Sequence, residues 1–203
     1  YNVTSLVLDP DPDAPCKHIA NYFENGSITD FDTVYNFGKK ADIITIEIEK
    51  VNIEALEQLE KDGKQVFPQS RVIRLIQDKG VQKQFFKEND IPTAAFQIVN
   101  SKEDMVNSHI HFPYILKLRK DGYDGKGVMR INSADDLEKA FDAPCIIEKL
   151  VDFEKEVAVI VARNSNGDMK TFPMVEMEFN PEANLVEFLI SPSTFAESLQ
   201  QKA

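Results

Sequence analysis

The stretch that decides the fold is residues 116–128, which read LKLRKDGYDGKGV. Three of the chain's eight glycines, Gly122, Gly125 and Gly127, lie close together within it. Glycine lets the backbone adopt positive φ and lets a ligand approach the bare amides. Successive amides beside lysines form a concave site for anions. The stretch is therefore typical of a loop that binds a polyphosphate.

The same segment is basic, although the protein is acidic. Between positions 117 and 130 the net charge is +3, against −11 for the whole chain. The charged residues are Lys117, Arg119, Lys120, Lys126 and Arg130, opposed by Asp121 and Asp124. A phosphate oxygen about 4 Å from one ammonium gains about 4 kcal/mol at an effective dielectric constant of about 20. The charge pattern therefore favours an anionic ligand.

A plainer interpretation of the loop stands beside this one. Asp124-Gly125 between two apolar runs is also typical of a tight β-hairpin turn, and short glycine-rich matches are common by chance. The two interpretations are compatible, because a glycine hairpin is one way to cover the phosphates of a nucleotide.

Composition favours a globular protein with one large domain or two small ones, since 42% of the 203 residues are apolar and 28% are charged. The sequence has no apolar run of about 18 residues and no basic-then-apolar leader, so we expect neither a membrane span nor a signal peptide. Because no basic stripe exists beyond the one loop, we expect no nucleic-acid partner. These features predict a cytoplasmic protein.

The cysteines and histidines offer no metal site. Cys16 and Cys145 are far apart in sequence, outside any CxxC motif, and we expect two reduced, buried thiols. His109 and His111 are separated by one residue, too close for a helical pair, and we expect both in loops or on the surface.

Residues 1–93 alternate short β-rich runs with helical segments, which predicts βαβ units on a parallel sheet and a doubly wound α/β domain. The predicted strands are 2–8, 42–49 and 65–68, and the predicted helices are 13–22, 31–40, 53–61, 69–76 and 79–88. Asn52 is the expected N-cap of the helix at 53–61.

After residue 93 the order becomes strand, helix, hairpin, helix, strand, which suits a small α+β lid at 94–147. Its predicted strands are 94–99, 112–117, 128–131 and 143–149, with helices that begin after Ser101 and Ser133. Residues 148–203 are rich in strands and predict the start of an antiparallel-sheet domain. The predicted strands there are 156–163, 171–179 and 184–190, with a turn at Asn166-Gly167.

Four further charged residues accompany the glycine loop, namely Lys79, Lys117, Glu148 and Glu156. Each also has an ordinary structural interpretation, as a helix-end lysine, a strand-end lysine or a solvated carboxylate. Their meaning comes from the motifs in which they lie.

Five motifs, in order along nearly the whole chain, resemble the ATP-grasp superfamily and, within it, the 5-(carboxyamino)imidazole ribonucleotide synthetases. The motifs are LDPDPDAPC at 8–16, DIITIEIEKV at 42–51, QDKGVQKQFF at 77–86, PYILKLRKDGYDGKG at 113–127 and CIIEKLVDFEKEV at 145–157. GYDGKG is specific to this branch, whereas IEIE is shared more widely. The resemblance implies a pre-ATP-grasp domain, a lid and an ATP-binding sheet domain.

The resemblance also implies a reaction of purine biosynthesis. ATP phosphorylates bicarbonate to carboxyphosphate, and the carboxyl passes to the amine of aminoimidazole ribonucleotide. Phosphoryl transfer depends largely on positioning and charge neutralisation, which suits the basic loop. The implied cofactors are ATP and Mg²⁺, and the family is usually homodimeric.

Carried over residue by residue, the family pattern implies these roles. Lys79 and Lys117 hold the phosphates, and the loop covers them with Gly122, Tyr123, Asp124, Gly125, Lys126, Gly127 and Val128. The adenine edge is read by Glu148 and by the backbone of Lys149 and Val151, with Leu150 between them. Glu156 accepts hydrogen bonds from the ribose hydroxyls.

The remaining implied roles concern the reacting substrates. Tyr123 and Lys126 face the bicarbonate and imidazole side and are the candidate catalytic residues. Glu47 ends a predicted parallel strand, where ligand crevices form in α/β domains, and is the candidate contact to the ribonucleotide. Glu49 lies on the same predicted strand face and remains an alternative.

The sequence also departs from the family pattern. A first strand with a GGGQLG-like turn would precede position 1, and a metal-binding glutamate with an Asn-Glu pair would follow position 203. We therefore expect a central fragment that is inactive alone, with its Mg²⁺ ligands outside this chain. Glu176, Glu178, Glu182 and Glu187 do not reproduce the metal pattern, and we expect them on a solvated strand face.

Two alternatives remain open from the sequence. One is another ATP-grasp ligase, such as a formate-dependent glycinamide ribonucleotide transformylase. The other is a non-catalytic module that binds a nucleotide and only opens and closes.

Overall fold

The structure is a computed structural model that describes residues 2–122, 126–180 and 185–202. The strands are β1 (Leu6–Asp9), β2 (Tyr22–Asn25), β3 (Ile43–Thr45), β4 (Gln65–Phe67), β5 (Phe96–Val99), β6 (Tyr114–Leu118), β7 (Val128–Ile131), β8 (Cys145–Lys149), β9 (Glu156–Ala158), β10 (Val161–Arg163), β11 (Met169–Thr171), β12 (Val175–Asn180) and β13 (Leu185–Ile190). The helices are α1 (Phe31–Gly38), α2 (Ile53–Lys61), α3 (Ser70–Ile76), α4 (Lys79–Glu88), α5 (Lys102–Val106) and α6 (Glu197–Gln200). Two 3₁₀ helices cover Pro15–His18 and Ala134–Lys139.

The first region is built from parallel strand pairs and helices, as predicted. Strand β1 pairs with β2, and β3 pairs with β4, both in parallel. Leu8 of β1 and Ile44 of β3 pack against one buried core, which consists of Val34, Ile53, Ala55, Leu56, Leu59, Val66 and Ile73. The Asn52 side chain accepts a hydrogen bond from the Ala55 amide at 2.8 Å, so the predicted cap begins α2. This region confirms the α/β prediction.

Several predicted elements of the first region differ from the structure. The predicted helix at 13–22 is only a 3₁₀ turn, and the chain then forms β2, because pairing with β1 outweighs the local helical pattern. Strand β1 begins only at Leu6. Strand β3 ends at Thr45, so the glutamates that follow it lie in a loop.

The second region is a four-stranded antiparallel sheet in the order β5-β8-β6-β7. Its core contains Val99, Met105, Ile110, Tyr114, Leu116, Ile131, Leu137, Ala140, Cys145 and Ile147. Ser101 caps α5 by accepting from the Asp104 amide at 3.2 Å. Ser133 and Asp136 form a capping box at the predicted helix start, although the segment after it is 3₁₀ rather than α.

The third region holds the antiparallel sheet β13-β12-β9 and the hairpin β10–β11. The predicted strand 156–163 is split, because β9 pairs with β12 whereas β10 pairs with β11. The domain boundaries at 93 and 147 stay predictions. Among the described residues, no helix is long and apolar enough to cross a membrane.

Candidate active site

A buried carboxylate lies between two lysines on one face of the four-stranded sheet. Glu148 Oε1 is 3.0 Å from Lys83 Nζ, and Glu148 Oε2 is 2.8 Å from Lys117 Nζ. The register pairs Glu148 with Ile115, so Lys117 is its diagonal neighbour on the same face. Lys83 reaches the carboxylate from α4. The Glu148 side chain is 9% exposed.

The two lysines keep Glu148 ionised. Burial, the largest influence, acts to raise the pKa of Glu148, but the hydrogen bonds and charges of Lys117 and Lys83 outweigh it, and the pKa lies below its usual value. An ionised carboxylate is a hydrogen-bond acceptor only. Glu148 can therefore accept from an N–H or O–H of a ligand.

Lys83 was not among the residues predicted from the sequence. It lies four residues after Lys79 on α4, and residues at this spacing share one face of a helix. That spacing was the available signal. Its functional weight appears only in the tertiary structure, because its partner Glu148 is distant in sequence.

The base of the glycine loop lies next to α4. The Lys79 ammonium donates to the carbonyl of Gly122 at 3.2 Å, and the Leu118 amide donates to the carbonyl of Gly127 at 2.8 Å. Gly127 has a φ of +77°, and a Cβ there would lie 3.0 Å from the Cα of Gly122. Only glycine therefore suits this close approach.

The hairpin interpretation of the loop is confirmed for its stem, since Lys117 pairs with Val128 across β6 and β7. Lys126 lies exposed in a turn, and Val128 is 38% exposed. The predicted loop residues Tyr123, Asp124 and Gly125 lie outside the described residues.

A second ion pair fastens α4 to the end of β6. Asp78 Oδ1 accepts from Arg119 Nε at 2.9 Å, and Oδ2 accepts from Arg119 Nη2 at 2.7 Å. Asp78 also caps α4 by accepting from the Gly80 amide at 2.9 Å. A Cβ at Gly80 would lie 2.7 Å from Arg119 Nε, so glycine leaves room for the guanidinium. The Lys79 amide in turn donates to the Arg119 carbonyl at 2.9 Å.

The pKa of Asp78 reflects this arrangement. Burial, the largest influence, acts to raise the pKa of Asp78, and the hydrogen bonds from Arg119 and the helix amides lower it below its ordinary value. The carboxylate thus stays charged and keeps both of its oxygens engaged.

Glu47 does not end a strand, which corrects the prediction. It lies exposed in the loop after β3, and so does Glu49, so the argument from a shared strand face is wrong for both. The loop lies beside the glycine loop, because Lys50 Nζ is 2.6 Å from Asp121 Oδ1. The Gln77 side chain donates to the carbonyls of Glu49 and Val51 at 2.6 and 2.9 Å.

The other predicted nucleotide contacts follow β8. Lys149 and Val151 are exposed and Leu150 is half-buried, and the Lys149 amide donates to the Ala95 carbonyl at 2.8 Å. Glu156 begins β9 in the neighbouring sheet, opposite Met177. The structure thus brings Lys79, Lys117, Gly122 and Glu148 around α4 and β6, whereas Glu156 belongs to another sheet. The roles of these residues stay predictions.

Glu176 is buried, which corrects the expectation of a solvated face. It is 1% exposed. Its carboxylate is 2.9 Å from Lys155 Nζ and accepts from the Ser193 hydroxyl at 3.0 Å, from the Thr194 hydroxyl at 2.7 Å and from the Thr194 amide. The Lys155 hydrogen bond, followed by those of Thr194, lowers the pKa of Glu176 to about 2.

The other strand glutamates agree better with the prediction. Glu178 and Glu187 are exposed, and Glu178 is 2.8 Å from Lys155 Nζ. Glu182 lies outside the described residues. Within residues 2–122, 126–180 and 185–202, no group of three or more His, Cys, Asp or Glu side chains could hold a metal ion.

Comparison with known proteins adds two domain assignments. The family model of the ribonucleotide synthetase preATP-grasp domain matches residues 1–77, and the family model of the ATP-grasp domain matches residues 84–203. Together these agree with the predicted α/β fold.

Two curated relatives have names that refer to aminoimidazole compounds. A phosphoribosylaminoimidazole carboxylase of Candida glabrata is 33% identical over 100% of this chain and 37% of its own length. An N5-carboxyaminoimidazole ribonucleotide synthase of Staphylococcus aureus is 33% identical over 85% of this chain and 48% of its own length. The chain therefore spans less than half the length of these curated relatives.

A solved structure shares the fold. The crystal structure of N5-carboxyaminoimidazole synthase from Aspergillus clavatus, in complex with ADP and 5-aminoimidazole ribonucleotide, superposes with a TM-score of 0.87 and 28% identity. The similarity covers 100% of this chain and 54% of that one. With a family model that matches more than half of its residues, the chain belongs to the ATP-grasp family.

Proposed function

We propose that this chain forms the nucleotide-binding part of an enzyme that carboxylates aminoimidazole ribonucleotide at the expense of ATP. The observation that carries the proposal is the arrangement of Lys79, Lys83 and Lys117 around Glu148 and the base of the glycine loop. Lys83 and Lys117 contact the Glu148 carboxylate, and Lys79 contacts the Gly122 carbonyl at the base of the loop. These three cations outnumber the one carboxylate that they accompany, which suits a polyphosphate.

In this proposal the nucleotide extends from the loop to β8. Lys79 and Lys117 hold the phosphates, and the loop from Gly122 to Val128 covers them. The segment Glu148–Val151 binds the adenine edge, and the Glu156 carboxylate accepts from the ribose hydroxyls. Solved structures of relatives with ATP and with ADP and 5-aminoimidazole ribonucleotide support this assignment.

The proposed reaction has two steps. A bicarbonate oxygen attacks the γ-phosphorus of ATP, which gives carboxyphosphate and releases ADP. The amine of aminoimidazole ribonucleotide then attacks the carboxyl carbon, which forms the N–C bond, releases phosphate and leaves one proton to a base. Tyr123 and Lys126 are the proposed residues on the bicarbonate and imidazole side, and Glu47 is the proposed contact to the ribonucleotide.

Mg²⁺ would neutralise the charge of the phosphates when bound. The described residues do not fit a complete site for it, so the roles above assign it no ligand in this part of the chain. We propose further that the whole protein is a cytoplasmic homodimer, on the basis of the family resemblance. Light scattering of the purified protein tests its oligomeric state.

Lys117→Ala tests the nucleotide site. We expect it to weaken ADP binding by about tenfold to a hundredfold, because hydrogen bonds to charged groups contribute about 1.5–3 kcal/mol. Lys120→Ala is the control, since Lys120 is exposed in the same basic segment and should change the affinity much less. Isothermal titration calorimetry measures both, and equal affinities for wild type and Lys117→Ala would contradict the assignment.

The choice of carboxylate substrate separates this proposal from its alternatives. ADP release should require aminoimidazole ribonucleotide and bicarbonate together. Release that depends instead on formate and glycinamide ribonucleotide would indicate the sister ligase. ADP binding without turnover on any such substrate would indicate a non-catalytic module.

A further inference from the structure

Glu148 has two cationic partners, and they are not equivalent. Lys83 and Lys117 each approach one oxygen of the carboxylate, at 3.0 and 2.8 Å. The Lys83 side chain is 13% exposed, whereas that of Lys117 is 30% exposed. The Lys83 ammonium also donates to the Thr93 hydroxyl. Lys83 is therefore the more enclosed of the two and is fastened on a second side.

Lys117 carries a single positive charge, so a bound phosphate would compete with Glu148 for it. In the proposed function it turns toward the phosphates, and its contact with Glu148 weakens. A buried carboxylate that loses its only cation is strongly destabilised. Glu148, however, would keep Lys83, which reaches it from α4 rather than from the sheet.

We propose that Lys83 is a positioning residue, the permanent counter-ion of Glu148, which frees Lys117 for the phosphates and holds Glu148 as an acceptor toward the nucleobase. The inference rests on the proposed nucleotide site and deepens it. Lys83 acts through Glu148 and does not itself contact the nucleotide.

This role has a consequence for base selection. Adenine presents an amino donor at the edge where guanine presents a carbonyl acceptor. An ionised carboxylate accepts from the first and repels the second. By holding Glu148 ionised and in place, Lys83 contributes to the preference for adenine over guanine nucleotides.

The test is a double-mutant cycle on the whole protein, with ADP and GDP as ligands and calorimetry as the readout. The variants are Lys83→Met, Glu148→Gln and the double variant. We expect Lys83→Met to weaken ADP binding about tenfold or more, because it removes one partner of a buried pair. We also expect it to lower the ratio of ADP affinity to GDP affinity. In the Glu148→Gln background the same change should alter ADP affinity less than about twofold, because interacting residues are not additive.

Two controls separate positioning from general structural damage. Lys87→Met changes an exposed lysine one turn further along the same helix and should leave both affinities unchanged. Lys83→Arg keeps the charge and should restore most of the ratio. Lys83→Gln is measured in parallel in case the methionine variant folds poorly, because glutamine keeps a polar group beside Thr93. It should lower the ratio of ADP affinity to GDP affinity as Lys83→Met does.

The outcomes distinguish the inference from the function beneath it. Wild type that binds neither ADP nor ATP overturns the proposed function. Two results would overturn only the role of Lys83, provided that wild type binds ADP. One is that the effects of Lys83→Met and Glu148→Gln on ADP affinity are additive. The other is that Lys83→Gln leaves the ratio of ADP affinity to GDP affinity unchanged.

Discussion

The thiol of Cys145 illustrates what complete burial does to a single residue. Cys145 is 0% exposed in the core of the four-stranded sheet, and burial raises its pKa to about 11. Only the thiolate is nucleophilic, so this thiol is inert near neutral pH. Cys16 is also free but only half-buried, so the expectation of two buried thiols holds for Cys145 alone.

Thiol titration should therefore distinguish the two cysteines. In the native protein, an aromatic disulfide reagent should modify Cys16 first, and Cys145 should react only after unfolding in guanidinium. Cys16→Ser should leave almost no reactive thiol in the native state. Rapid modification of Cys16→Ser without denaturant would contradict the burial of Cys145.

The Glu176 carboxylate makes a second prediction at the residue scale. Its pKa is about 2 in the folded protein and 4.5 ordinarily, so the folded state binds this proton less readily than the unfolded state. The stability that it contributes is present above pH 4.5 and is lost as the pH falls toward 2. The difference in unfolding free energy between wild type and Glu176→Gln should therefore shrink across that range.

Urea unfolding at several pH values measures this difference. Glu178→Gln is the matched control, since Glu178 also pairs with Lys155 but is exposed. A difference between wild type and Glu176→Gln that stays constant from neutral pH down to the pKa of Glu176 would show that the carboxylate charge contributes nothing.

Glu176 also shows why some residues could not be placed from the sequence. Glu176 and Glu178 are two residues apart on one strand, so the sequence predicts the same environment for both. Ser193 and Thr194, which follow the next strand, cover only the first of them. Lys83 was missed for the same reason, because its burial depends on β8. In both cases the deciding partner is distant in sequence.

At the scale of elements, the Asp78–Arg119 pair joins α4 to β6. The guanidinium makes two hydrogen bonds to one carboxylate, a geometry that lysine cannot reproduce. Arg119→Lys should destabilise the fold by about 1–2 kcal/mol. It should also weaken nucleotide binding, since the same junction places Lys79 beside Gly122.

Arg74→Lys provides the comparison, because Arg74 is 49% exposed and pairs with Glu54 and Glu57 on the surface. That change should cost less than about 0.5 kcal/mol. Denaturant unfolding measures both variants, and equal losses would show that the Asp78–Arg119 geometry has no special weight.

Elements with local signals were predictable and elements without them were not. The bounds of α2 and α4 agree with the prediction, because a cap and a helical period lie within each segment. The short strand β2 was missed, since only its pairing with β1 makes it a strand. The loop after β3 was predicted as a strand because its isoleucines and glutamates alternate. Among the described residues, however, β3 pairs with β4 only as far as Thr45, so the strand ends there.

At the scale of the whole molecule, the order of the motifs predicted the fold family and the neighbourhood of the site. It predicted that the lysine before the lid, the lysine of β6 and the glutamate of β8 would serve one ligand. It did not predict that α4 would supply a further cation or that Asp78 would fasten the helix to the sheet. These contacts depend on how α4 lies against the sheet, which no local pattern encodes.

The position of α4 also bears on how such a protein can be divided. Residues 78–83 lie between the two segments that the family models match, 1–77 and 84–203, yet they carry Asp78, Lys79 and Lys83. A recombinant half that starts at residue 84 would leave Arg119 without its carboxylate and Glu148 with one lysine. Fusion and domain-swap boundaries for chains of this kind therefore belong before Asp78, so that the whole of α4 stays in the same piece as the four-stranded sheet that it contacts.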